Sequence, residues 1–242
     1  MLEVCSWTVP PSNLQLSDRE VHIWQADLTC LDAEVEKLAP LLSADEQHRA
    51  ARFRFERDRR KFILARGILR NLLSQYLQCD PSTLSFEYGK YGKPTLIGSN
   101  LLSFNLAHSG DRVLYAVTQH DPIGIDIEQL RPVQQIEQIV SRYFSPEERQ
   151  AFQSLPVNQQ PLAFFRAWTG KEAFLKAIGS GLSLPLDQVA ITLLPGQPAE
   201  LLGLPADHSV KQWKLHQFVP AAGYVGAIVV PQKSLQIGFW QL

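Results

Sequence analysis

The segment Ile123, Gly124, Ile125, Asp126, Ile127, Glu128 holds two carboxylates with one residue between them. In a strand that spacing sends both acids to one side while Ile125 and Ile127 take the other. Paired carboxylates offer the oxygen donors that a hard divalent cation takes. The same alternation also describes a half-exposed strand with a polar face. The apolar flank favours a strand inside a sheet, where neighbouring acids repel unless a counter-ion lies between them. Further along, in FFRAWTGKEAFLKAIG, Trp168, Glu172 and Lys176 stand at i, i+4 and i+8 and share one helical face, with Lys171 turned about a hundred degrees away. An exposed Glu172–Lys176 pair is worth only about a few tenths of a kcal/mol. Phe164, Phe165, Phe174, Leu175 and Ile178 surround the charges, however, and point to a helix buried on several faces whose charges need internal partners.

Other groups could meet phosphate. His108 in FNLAHSG follows a strand-like run and precedes Ser109 and Gly110, a position from which imidazole can donate into a loop, although a lone histidine is more often a structural hydrogen-bonding group. Lys90 and Lys93 sit on the Gly-rich turn YGKYGKP, which equally describes a polar hairpin loop. The stretch from Arg49 to Arg70 is the most basic in the chain, but Glu46, Glu56 and Asp58 interrupt it. Most of its arginines are expected on solvated helix faces, with one or two free to bind phosphate oxygens through the planar guanidinium. Gly179 to Gly181 is no phosphate loop, because it follows a helix and lacks the Lys-Ser/Thr pair.

The elements that must position these residues form one pattern used twice. VHIWQADL alternates as a strand, and Asp32 to Leu42 reads as helical. Ser43 and Glu46 have capping-box spacing, and Phe62, Ala65, Leu69, Leu72, Leu73 and Tyr76 recur at helical spacing from Asp58 to Gln78. LSFEYG, LSFNLAH and RVLYAVTQ then read as strands. The second half begins with a strand at IGIDIEQ, a helix from Val133 to Tyr143, and a second capping box at Ser145 and Glu148 with Pro146 at the first helical position. A long helix follows and stops at Gly179, before strands at QVAITLL, WKLHQF, GYVGAIVV and QIGFWQ. The expected fold is therefore α+β: two similar lobes, residues 1–120 and 121–242, each a small, mainly antiparallel sheet packed with helices, with a site at their seam.

Composition narrows the function. With 242 residues and 45% hydrophobic content, the chain can bury a full core without staples. A net charge of −1 gives no overall field to draw in nucleic acid or membrane. Cys5, Cys30 and Cys79 are odd in number and lack metal-site spacing, so free thiols in a reducing compartment are expected. The absence of a signal-like N-terminus and of a long apolar run leads us to expect a cytoplasmic protein.

Taken together, YGKP, FNLAHSG, GIDIE and WTGKEAFLKAIGSGL resemble the 4′-phosphopantetheinyl transferases of the large, two-lobed, broad-range type. The last block resembles the Trp-Lys-Glu-Ala branch of that family. The resemblance implies transfer of the phosphopantetheine arm of coenzyme A to a serine hydroxyl of an apo acyl or peptidyl carrier protein, with release of 3′,5′-ADP. Asp126, Glu128 and Glu172 match the family's magnesium ligands, where manganese can also serve. Glu172 matches the general base, and Lys171 and Lys176 match residues at the pyrophosphate. His108 matches the contact to the 3′-phosphate of coenzyme A, Lys93 with Pro94 the adenine and phosphate rim, and Arg49 and Arg66 basic binding positions. Ala107 departs from the pattern, standing where several relatives have serine. A monomer is expected, with carrier docking on residues 134–152 around Arg142 and Arg149. Two rivals are a binding protein that keeps the pocket without catalysis, and a nucleic-acid module built on the basic helix. The intact carboxylates oppose the first, and the near-zero net charge opposes the second.

Overall fold

Ser43 and Ser145 each open a short helix that leads into a long one. In the computed structural model, which describes residues 2–11, 14–29, 32–98, 101–233 and 236–242, the first half runs β1 (Glu3–Val4), β2 (Glu20–Asp27), α1 (Val35–Leu38), α2 (Ala44–Ala51), α3 (Glu56–Leu77), β3 (Phe86–Tyr88), β4 (Pro94–Leu96), β5 (Ser103–Ser109) and β6 (Arg112–Thr118). The second runs β7 (Gly124–Gln129), α4 (Ile136–Tyr143), α5 (Pro146–Gln153), α6 (Gln160–Ile178), β8 (Ala190–Ile191), β9 (Leu201–Gly203), β10 (Trp213–Val219), β11 (Tyr224–Pro231) and β12 (Gln236–Gln241). Cys30 lies outside the described residues.

The repeat is visible in the sheets. One has the order β12-β2-β6-β5 and the other β1-β10-β11-β7, so a hairpin plus one earlier strand, β2 or β7, recurs in each half. These three-stranded cores are antiparallel. The fourth strand breaks the repeat and makes each sheet mixed. The C-terminal β12 pairs in parallel with β2, and the N-terminal β1 pairs in parallel with β10, so each terminus enters the sheet of the opposite half. Long helices cover the outer faces: α3 packs with Trp24, Val113, Tyr115 and Val117, and α6 with Val225, Ala227 and Val229. The inner faces meet in a third apolar cluster containing Ile23, Ala116, Ile125, Ile127, Phe218 and Ile228. Sheets buried on both sides explain the nearly continuous apolar runs in β6 and β11.

The capping boxes do more than start helices. The Glu46 carboxylate accepts from the Ser43 amide at 3.1 Å and also from buried Arg70 of α3 at 2.7 Å, while Arg70 donates onward to the Pro81 and Leu84 carbonyls. In the second half Glu148 accepts from the Ser145 amide at 2.8 Å and from buried Lys171 of α6 at 2.6 Å. Each half thus ties its short helix to its long one through enclosed ion pairing of the capping glutamate, the condition under which a buried charge persists. Most arginines of the basic stretch are exposed or partly exposed, as expected, whereas Arg66 and Arg70 are buried. The helix expected over residues 32–42 is a four-residue α1 between two 3-10 turns. The strand expected at QVAITLL pairs only over Ala190–Ile191.

Candidate active site at the seam

The site is assembled from the edge strands and long helices of both halves. Asp126 and Glu128 leave β7 on the side opposite Ile125 and Ile127, as strand alternation requires, and Asp126 meets α6. Lys176 Nζ donates to Asp126 Oδ1 at 2.7 Å and to the Ile125 carbonyl at 3.3 Å. Lys176 therefore bridges to β7 instead of forming an isolated surface pair with Glu172. Gly124 permits this approach. A Cβ there would collide with the Ala173 carbonyl oxygen and the Ala177 amide nitrogen, so α6 can lie this close to β7 only over a residue without a side chain.

Four charges share this region. Burial drives the Asp126 carboxyl up to about 6 although the Lys176 ammonium opposes it, and Glu172 and Glu128 add repulsion. Glu172 is also raised, chiefly by desolvation, with Lys176 opposing and Glu128 adding. Among the described residues no three His, Cys, Asp or Glu side chains already stand close enough to hold a metal ion. The donor chemistry fits a divalent cation nonetheless. Asp126 Oδ2 is buried with no hydrogen-bond partner, and three mutually repelling carboxylates supply hard oxygens, with Lys176 paired to Asp126 and the exposed Arg131 3.8 Å from Glu128.

Beside the acids opens a cleft of about 500 Å³, lined by Arg49, Lys61, Phe62, Arg66, Tyr91, Lys93, Pro94, His108, Lys176 and Gly181, among others. Both halves contribute to its wall. Arg49 and Arg66 stack over the Phe62 ring at 5.3 and 5.9 Å. Arg66 lies 3.8 Å from Glu46, but its buried Nη1 has no protein partner, which leaves a donor that an anion can take. His108 lies within β5 and not beyond its end, paired with Val113 across the hairpin. Desolvation, followed by the Lys176 and Lys61 charges, lowers its basicity, while Glu128 opposes them.

Two lysines differ from expectation. Lys171 is not at this cleft: its fully buried ammonium is taken up by Glu148 and the Leu186 and Val189 carbonyls, so it serves the C-terminal core. The single-residue step from Glu172, about a hundred degrees around the axis, turns it onto a different face of α6. Lys93 does line the cleft, but its Nζ donates to the Ile123 and Lys176 carbonyls at 2.9 and 2.6 Å. Desolvation lowers its ammonium to about 8. The YGKP turn is thereby latched to the end of α6 and the start of β7, and Lys93 offers its stem to the cleft. Sequence reasoning missed Lys61, Tyr91, Asn105 and the role of Gly124. The glycine inside an otherwise apolar strand was the available signal, since such a glycine marks close backbone approach.

A model of the 4′-phosphopantetheinyl transferase superfamily matches residues 122–229, and a model of the 4′-phosphopantetheinyl transferase N-terminal region matches residues 26–120. The chain is 41% identical to the 4′-phosphopantetheinyl transferase HetI of a Nostoc species, over 97% of this chain and 98% of the relative. It is 36% identical to a putative 4′-phosphopantetheinyl transferase of Synechocystis, over 72% and 71% of the two chains, and 33% identical to the 4′-phosphopantetheinyl transferase Sfp of Bacillus subtilis, over 81% and 84%. These matches run through both halves and across the seam where the acids, Lys176 and the basic cleft meet, and the chain belongs to the 4′-phosphopantetheinyl transferase superfamily.

Proposed function

We propose that this protein transfers the 4′-phosphopantetheine arm of coenzyme A to a serine of an apo acyl or peptidyl carrier protein and releases 3′,5′-ADP. The observation that carries the reading is the junction of the basic cleft with the Asp126, Glu128 and Glu172 carboxylates through Lys176, which stands in both. The active site lies at the seam of two lobes, residues 1–120 and 121–242, exchanging their terminal strands. In the cleft, the free Nη1 of Arg66 and the cation of Arg49 bind phosphate, His108 donates to the 3′-phosphate, and Pro94 with the Lys93 stem forms the adenine rim. Asp126, Glu128 and Glu172 would hold magnesium, or manganese on the same oxygens, which supplies positive charge against the pyrophosphate.

Lys176 stabilises charge on the phosphoryl oxygens from its place beside the cleft. Glu172, whose raised pKa brings it closer to neutrality, receives the serine proton. The serine oxygen bonds to the phosphorus that carries the pantetheine arm, the bond from that phosphorus to the bridging oxygen breaks, and 3′,5′-ADP leaves with the electron pair. Lys171 takes no part in this step. The chain acts as a monomer in the cytoplasm, on the Trp-Lys-Glu-Ala branch of its family, without nucleic acid. No helix of the described residues is long and apolar enough to cross a membrane. The test is intact-mass analysis of an apo carrier protein incubated with the enzyme, coenzyme A and magnesium. A gain of one phosphopantetheine group is expected, and an unchanged mass for acyl and peptidyl carriers alike refutes the reading.

A further inference from the structure

The edge strands β5 and β7 belong to different sheets, yet they face each other across the seam. Each is paired through its backbone on one side only, β5 with β6 and β7 with β11. An edge strand exposes amides that need acceptors when it is buried. Here β5 side chains provide them. Asn105 Oδ1 accepts from the Ile125 amide at 2.9 Å in a buried contact. At the other end of the strand, Ser109 Oγ accepts from the Gln129 amide at 3.0 Å and donates to Glu128 Oε2 at 2.9 Å. Both residues are buried, and they bracket the segment that carries Asp126 and Glu128.

From this geometry we infer that Ser109 is a positioning residue that aims the Glu128 carboxylate, and that Asn105 holds the same segment of β7 in register from its opposite end. The hydroxyl is suited to the task because it is donor and acceptor at once. Its oxygen is fixed by the Gln129 amide, so its proton is directed at one oxygen of Glu128 and the carboxylate loses rotational freedom. Glu128 has little else to restrain it: Arg131 stands 3.8 Å away and is largely exposed. The role also gives a physical reason for the Asn and Ser of FNLAHSG, which bracket His108 and both bond to the β7 segment. Removing a hydrogen-bond partner of a metal ligand typically weakens metal affinity about 10- to 100-fold. The inference rests on the proposed assignment of Glu128 as a metal ligand.

The experiment is manganese binding to the purified protein with 3′,5′-ADP present, followed by electron paramagnetic resonance of the free ion, for the wild type, Ser109→Ala, Ser109→Thr, Asn105→Ala and Glu128→Ala. Ser109→Ala is expected to raise the manganese Kd about tenfold. Ser109→Thr, which keeps the hydroxyl, should restore most of that affinity. Asn105→Ala should speed hydrogen exchange at the Ile125 amide of β7, and native-state exchange in β11 reports whether the fold survives. Wild-type affinity in Ser109→Ala, alongside weakened binding in Glu128→Ala, overturns the positioning role and leaves the metal site intact. Unaltered binding in Glu128→Ala overturns the metal assignment and the inference with it.

Discussion

Replacing Asp126 with Asn tests how much stability a charge in this place costs the fold. The carboxyl is buried, one oxygen lacks a partner, and its pKa is raised from 3.8 to about 6. A raised folded-state value means that the folded protein holds the proton more tightly than the unfolded chain. The stabilisation from that proton is full below about pH 4 and is lost as pH rises through about 6. A pKa rise of about 2, at about 1.4 kcal/mol for each tenfold change in proton affinity, makes ionised Asp126 unfavourable by about 3 kcal/mol at neutral pH. The amide of the variant is neutral throughout, so Asp126→Asn should match the wild type near pH 4 and exceed it by up to about 3 kcal/mol above pH 7, or about 6 to 12 °C in melting temperature for a chain of this size. Urea denaturation with chelator present, followed by tryptophan fluorescence from pH 4 to 8, measures the difference. Magnesium with 3′,5′-ADP should then stabilise the wild type and close the gap, because ligands that bind only the folded state raise its stability. A stability difference independent of pH, or a variant weaker than the wild type at pH 7.5, refutes the argument.

Glu172→Gln keeps the size and one oxygen but removes the base, so single-turnover transfer should fall at least about a hundredfold while coenzyme A binding by calorimetry largely survives. Near-normal turnover would assign the proton to another acceptor. Gly124→Ala must push α6 off β7, and the expected loss of about 1 to 3 kcal/mol from overpacking is read by urea denaturation together with reduced turnover in the folded fraction. Arg142 is exposed on α4, and Arg149 on α5 donates to the Ser141 carbonyl at 3.1 Å. Their joint change to Glu should raise the KM for an acidic carrier several-fold and leave that for coenzyme A unchanged, and equal effects on both substrates would remove this surface from carrier docking.

Local chemistry made much of this protein legible in one dimension. Alternation placed Asp126 and Glu128 on one side of a strand, helical spacing put Glu172 and Lys176 on one face, and the serines at 43 and 145 began the helices where hydroxyl and glutamate spacing allowed. Gly179 ends α6 in the left-handed conformation, with φ of 69°, that a helix-terminating glycine supplies. The repetition of that order was enough to expect two α+β lobes. Spacing has no knowledge of what lies across a seam. It could not say that Lys176 would pair with Asp126, that Lys93 would commit its amine to α6 carbonyls, or that Lys171 would be enclosed with Glu148, because each partner is 23 to 83 residues away. Nor could it place β1 and β12 in the sheets of the opposite halves, since a strand carries its pattern but not its neighbour. Those choices belong to packing: buried charges take whatever partner the assembled core brings within reach, and only the folded chain determines which that is.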